Sequence, residues 1–148
     1  MIQRVLKGYQ FRLYPTKEQE DFFAKTFGSC RFVWNYILAT KSEGYKFGGI
    51  SLNYCDTSKG LKEIKGLEEL KWLKEVNSQS IQQELRKLDV AYTRFFKKIS
   101  NYPVFKTKRD KQSFIVPQHF EYKDGLIFIP KLKSGIKVNQ HREFGQNH

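Results

Sequence analysis

The chain has 148 residues, 39% hydrophobic and 16% aromatic, with 27 Lys+Arg against 15 Asp+Glu. That apolar and aromatic content supports one ordinary folded core and excludes a disordered basic tail. A net charge of +12 at pH 7 points to a polyanionic partner. Nucleic acid comes before a membrane surface, because rings beside Lys and Arg stack bases while the charges hold phosphates.

Residues 9–14 alternate Tyr9, Phe11 and Leu13 with Gln10 and Arg12, the two-residue period of a half-buried strand. Pro15 stops that ladder, and Thr16 with Gln19 forms a capping box that opens a helix. Phe22, Phe23 and Phe27 predict a first helix that ends near Gly28. A second, from about Ser29, carries Phe32, Val33, Tyr36 and Ile37 towards the glycines from Gly44 to Gly49. A loop follows, then a short helix capped by Asp56, Thr57 or Ser58, then an amphipathic turn around Leu67, Leu70, Trp72, Leu73 and Val76. The strongest helical signal starts at a cap on Asn77 or Ser78. Ile81, Leu85, Leu88, Tyr92, Phe95, Phe96 and Ile99 recur there as one apolar stripe, while the opposite side carries Arg86, Lys87, Arg94, Lys97 and Lys98 against Glu84 and Asp89.

After Pro103 the texture changes. Residues 106–111 read as a basic loop, 113–117 and 119–123 as strands, Asp124–Gly125 as a hairpin turn, 126–132 as the returning strand and 135–138 as one more. These are the partners that the lone first strand, Leu6 to Tyr14, requires. The expected fold class is α+β: a helical bundle inserted into a small, incomplete β-barrel, divided as residues 1–15, 16–101 and 102–148.

No run approaches the ~20 apolar residues of a membrane span, and Arg4 and Lys7 break the first apolar residues, so neither a signal peptide nor a membrane partner is expected. Cys30 and Cys55 form no C-x-x-C pair and read as thiols of a reducing cytosol, not zinc ligands. No carboxylate cluster suits two-metal phosphodiester chemistry, His119, His141 and His148 are scattered, and there is no glycine-rich phosphate loop. The expectation is therefore no catalytic residue, no metal and no cofactor. The positive signal is electrostatic. Arg94, Lys97, Lys98, Lys106, Lys108, Arg109 and Lys111 face only Asp110 across that run, with Tyr102 and Phe105 inside it and Phe114 just beyond. Clustered cations of this kind release counterions from a phosphate backbone and give affinity without reading sequence.

"RLYPTKEQ", "GSCRFVWNYIL", "SLNYCDTSKGL", "WLKEVNSQSIQQELRKLDVAYTRFFKK", "YPVFKTKRDKQSF" and "IPKLKSGIKVNQHRE" follow one another in a fixed order. Together they resemble the N-terminal part of TnpB (OrfB), a family of RNA-guided DNA nucleases encoded by bacterial insertion sequences and related to type V CRISPR effectors. The resemblance implies a wedge barrel interrupted by a helical recognition lobe, a region also described as a helix-turn-helix. It implies contacts to guide RNA and to the duplex beside the target through Tyr54 and Ser58, and through Ser78, Gln79 and Gln82 at the start of the long helix. Gln82 would read an adenine edge with two hydrogen bonds, and a helix N-terminus suits phosphate. The partners implied are a structured guide RNA and double-stranded DNA, in a bacterial cytoplasm and on the nucleoid when bound.

The family's RNase-H-like nuclease domain and four-cysteine zinc ribbon have no counterpart in these residues, so a truncated, non-catalytic piece is expected. The alternatives are a stand-alone DNA-binding regulator, a non-functional transposon remnant and a self-contained metal-dependent nuclease. An incomplete barrel further predicts self-association through its open edge.

Overall fold

The computed structural model describes residues 12–49 and 52–138, so positions 6–11 of the expected first strand, and His141 and His148, lie outside it. In chain order the elements are β1 (Leu13–Tyr14), α1 (Lys17–Gly48), α2 (Tyr54–Lys65), a 3₁₀ segment (Glu68–Glu75), α3 (Ser78–Phe96), β2 (Glu121–Lys123), β3 (Leu126–Phe128) and β4 (Ile136–Val138).

The start of α1 follows the local rule. Thr16 Oγ1 accepts the Gln19 amide at 3.2 Å, and Gln19 Oε1 accepts the Thr16 amide at 2.9 Å. The helix does not stop at Gly28. It runs unbroken for 32 residues to Gly48, and the left-handed residue that ends it is Gly49, at φ 62°. The two helices expected on either side of Gly28 are one. Ser29, Cys30, Val33, Trp34, Ile37 and Leu38 prolong the buried face that begins with Gln19 and Thr26, and this continuous burial outweighs the ~1 kcal/mol that one helical glycine costs.

Capping also differs at α2. Asn53 Oδ1 accepts the Asp56 amide at 2.9 Å while Asp56 accepts the Asn53 amide at 3.1 Å, so the expected caps at 56–58 sit inside the helix. Asn77 caps α3 by accepting the Gln79 amide at 3.2 Å. The α3 stripe is shorter than its spacing promises. The helix ends at Phe96, Lys98 turns left-handed at φ 63°, and Ile99 is left 61% exposed. Val33, Trp34, Ile37 and Leu38 of α1, Leu61 and Ile64 of α2, Leu73 and Val76, and Ile81, Leu85, Leu88 and Tyr92 of α3 form one core.

The strands make an open antiparallel sheet in the order β1-β4-β3-β2. β1 pairs with β4 (Leu13 opposite Val138), so its partner does come from beyond the helices. Asp124 and Gly125 both have positive φ (52° and 76°), which closes the β2–β3 hairpin with Lys123 opposite Leu126. Residues 113–117 form no strand. Phe114 packs against Phe23 and Phe27 of α1 with ring centroids 5.9 and 5.4 Å away, and the Ile115 carbonyl accepts from Ser80 Oγ at 2.7 Å, so that segment is committed to the helices. Buried Gln19 ties sheet to lobe, its Nε2 donating to Ser134 Oγ and to the Gly135 carbonyl, both at 2.9 Å. No helix among the described residues is long and apolar enough to cross a membrane.

Candidate nucleic-acid interface

Four of the expected binding residues meet where α2 lies along α3. Tyr54 and Ser58 are one turn apart on α2, and Gln82 and Arg86 are one turn apart on α3. Gln82 Nε2 donates to Tyr54 Oη at 2.8 Å and to Ser58 Oγ at 2.7 Å. The Arg86 guanidinium sits over the Tyr54 ring, 4.7 Å from its centroid. Both amide hydrogens of Gln82 are thus engaged, and its Oε1 is left as an acceptor. A two-bond adenine contact needs one of those hydrogens, so Gln82 must release a hydroxyl before it can make one. Gln79 lies one turn before Gln82, and Ser78 is exposed in a first helical turn that holds no acidic residue. An anion there meets a favourable dipole without a competing carboxylate, although Asn77 already takes the Gln79 amide on its side chain and the Ser80 and Ile81 amides on its carbonyl.

The cations divide into two further groups. At the end of α3, Arg94 Nε donates to Ser100 Oγ at 3.0 Å, and the Arg94 carbonyl accepts the Ile99 amide at 2.9 Å and the Ser100 amide at 3.3 Å. Lys97 and Lys98 follow, both exposed, where cations complement the helix dipole. The basic loop is fastened to α1. Asn35 accepts the Lys106 amide at 2.8 Å and donates to the Lys106 carbonyl at 2.9 Å, and Trp34 Nε1 donates to the Val104 carbonyl at 2.9 Å. Thr107 and Asp110 then close a tight turn, the Thr107 amide donating to Asp110 at 2.7 Å, which leaves Lys108, Arg109 and Lys111 exposed around it.

Lys106 stands apart from that group. Its ammonium lies 3.4 Å from Glu84 Oε2 and 4.1 Å from the Trp34 ring centroid. Glu84, expected on the outer face, is buried and also pairs with Lys87 at 3.1 Å. Its position between Ile81, Leu85 and Leu88 is the signal that marks it as inward. Burial, reinforced by the Glu84 carboxylate, pushes the Cys30 thiol up to about 12. Lys41, buried at the α1–α3 junction, donates to the Leu52 carbonyl and lies over the Tyr92 ring, and burial holds its ammonium below the ordinary lysine range. Among the described residues no group of three or more His, Cys, Asp or Glu side chains could hold a metal ion.

The chain is similar to known proteins over most of its length. A family described as a helix-turn-helix domain, that of OrfB in IS605 elements, matches residues 1–49. A relative from Escherichia coli (strain K12) that carries the name of an RNA-guided DNA endonuclease, InsQ, is 36% identical over 129 residues, 86% of this chain. A second, from Streptomyces pristinaespiralis and named in the same way, is 31% identical over 144 residues, 96% of the chain. The virulence protein VsdF of Salmonella dublin is 33% identical over 116 residues, which cover 72% of the chain and 98% of VsdF. The chain belongs to the TnpB (OrfB) family. It spans 32% and 36% of the lengths of the two endonuclease-named relatives, about a third in each case. Of the matched 1–49, the described residues of this TnpB-family chain hold β1 and the whole of α1, with no turn inside the helix.

Proposed function

We propose that this chain is the nucleic-acid-binding, non-catalytic N-terminal part of a TnpB-like RNA-guided nuclease from a mobile element. In this reading residues 16–101 are the recognition lobe, inserted into a wedge barrel to which residues 1–15 and 102–148 contribute, and a structured guide RNA and target-adjacent duplex DNA are its partners. The supporting observation is the α2–α3 face, where Tyr54, Ser58, Gln82 and Arg86 offer an acceptor, hydroxyls and a guanidinium on one rigid helix pair. Phosphate affinity comes from Lys97, Lys98, Lys108, Arg109 and Lys111, all exposed. The endonuclease names of two relatives support the assignment to this class of protein.

The purified chain is titrated with duplex DNA from the element's ends and with the element's own transcript across a salt series. Steep loss of affinity with salt is expected, and an affinity that stays flat overturns phosphate-dominated binding. Incubation of clean protein with DNA and magnesium or manganese tests the non-catalytic part; cleavage that disappears when an acidic residue is mutated overturns it. A second reading, a regulator that binds duplex DNA alone, is favoured by VsdF, nearly all of which is matched by this chain. Preference for one duplex sequence in the absence of RNA selects that reading.

A further inference from the structure

Between α1 and the 3₁₀ segment lies a cleft of about 770 Å³, separate from the α2–α3 face. Its wall is aromatic. Phe32 stacks on Tyr36 with centroids 5.8 Å apart and meets Trp72 edge-on at 5.2 Å. Tyr36 is 41% exposed and Trp72 37%, although both rings rest on Phe32, which packs against the core. Large rings held rigid on one side and open to water on the other mark a surface that something covers.

The charges around the rings say what kind of occupant suits them. Lys25 and Glu75, at the cleft's edge, pair with each other at 3.6 Å in solvent. Arg31 also lines the cleft and has no ion-pair partner among the described residues. It lines a second, smaller recess together with Asp110 and Lys111 of the basic loop. One guanidinium therefore borders both the rings and the loop.

We propose that this cleft takes an unstacked nucleobase of a single-stranded segment, its ring on Trp72 and Tyr36 and its phosphates on Arg31 and Lys111. An aromatic floor joined to a cationic track is the arrangement that binds single strands by stacking, tolerant of base identity. The volume fits a small planar ligand. The inference rests on the nucleic-acid reading above but assigns it a different surface and a different strand state.

The test uses the full chain with fluorescent oligo-dT, oligo-rU and a mixed-sequence duplex. Trp72→Leu keeps apolar bulk but removes the ring, whereas Trp72→Phe keeps a ring. The Leu variant is expected to lose about tenfold in single-strand affinity, the Phe variant to stay within about threefold of the parent, and duplex affinity to hold in both. Iodouracil-substituted single strands should photocrosslink to Trp72 or Tyr36; preference between dT and rU tells a DNA from an RNA occupant. Three results overturn the inference: single-strand binding by the Leu variant as tight as the parent's, parallel loss of single-strand and duplex binding, or crosslinks mapping only elsewhere. A parent that binds duplex but no single strand overturns this inference alone. A parent that binds neither overturns the nucleic-acid reading as well.

Discussion

Lys106 Nζ lies 3.4 Å from Oε2 of Glu84, a residue only 1% exposed, and so commits its charge to a buried carboxylate at the root of a loop otherwise rich in exposed cations. The Asn35 clamp on its backbone and the Trp34 ring beneath its ammonium fix the same point. The loop is anchored by one cation and displays the rest.

That division predicts two kinds of lysine. Lys106→Ala leaves a buried carboxylate with Lys87 as its one remaining ion-pair partner among the described residues, and should destabilise the fold by about 1–2 kcal/mol. Lys108→Ala, at an exposed position, should stay within about 0.5 kcal/mol of the parent. In binding, Lys108→Glu, Arg109→Glu and Lys111→Glu should weaken all duplex sequences about equally and reduce the salt slope by roughly one for each phosphate no longer neutralised. Urea unfolding and a salt series separate the two effects. A Lys106 variant as stable as the parent would dissolve the anchor.

The hydroxyls that hold Gln82 should control discrimination. Tyr54→Phe and Ser58→Ala each free one amide hydrogen of Gln82 from its partner and loosen the side chain. The expected result is a change in preference among target-adjacent duplexes, by about 1–3 kcal/mol at the position Gln82 reads, with non-specific affinity held. Arg86→Ala should instead weaken every duplex. Competition binding against single-base variants measures both, and Gln82→Leu binding with unchanged preference would remove this residue from readout.

Much of this architecture is legible in the amino acids, and the parts that are not share a cause. The Asp124–Gly125 hairpin, the Thr16 capping box and the α3 stripe from Ile81 to Tyr92 depend on neighbours in sequence, and they form as their spacing requires. Gly28 misleads because glycine permits a left-handed stop without compelling one; burial on both sides of it keeps α1 continuous. Asn53 is hard to single out because three acceptable caps follow it, and only the reciprocal bond with Asp56 decides. In the site, the one-turn spacing within each of the pairs Tyr54/Ser58 and Gln82/Arg86 is visible in the sequence, but their meeting across two helices is not. The Glu84–Lys106 pair and the Phe32–Trp72 cleft join segments far apart in the chain, which no local pattern announces.

The two cysteines should behave oppositely. Cys55 is exposed, while Cys30 is buried with its thiol pushed up to about 12. Cys55 alone should react with a thiol reagent near pH 8 in the folded chain, Cys30 following only on unfolding. A thiol whose folded value is raised contributes stability that is complete below its ordinary value of 9.0 and is lost as pH rises towards about 12. Lys41, held low by burial, slopes the other way, so the comparison is between the parent and Cys30→Ala at each pH. The parent's stability relative to that variant should fall through this window. Rapid labelling of both thiols in the folded protein would contradict the burial argument.

The last prediction concerns whether the helical lobe holds itself together without the sheet. Its core is assembled from α1, α2, the 3₁₀ segment, Val76 and α3, whereas the strands are two or three residues long and joined to the lobe through Gln19. Gly135 gives a way to disturb one without the other. A Cβ there would come within 2.9 Å of both Leu126 Cβ and the Phe128 ring; the ring can turn aside, but Leu126 Cβ can retreat only by shifting the β3 backbone. Gly135→Ala should therefore destabilise the sheet by about 1–3 kcal/mol. In the parent, amide hydrogen exchange should be slowest across Ile81–Tyr92 and faster across Glu121–Val138. In the variant the sheet amides should speed up further while the α3 amides keep their rates, and the disturbed strand edges should promote self-association visible by light scattering. If α3 and the sheet lose protection together, lobe and sheet are one cooperative unit, and the idea of an autonomous recognition lobe fails.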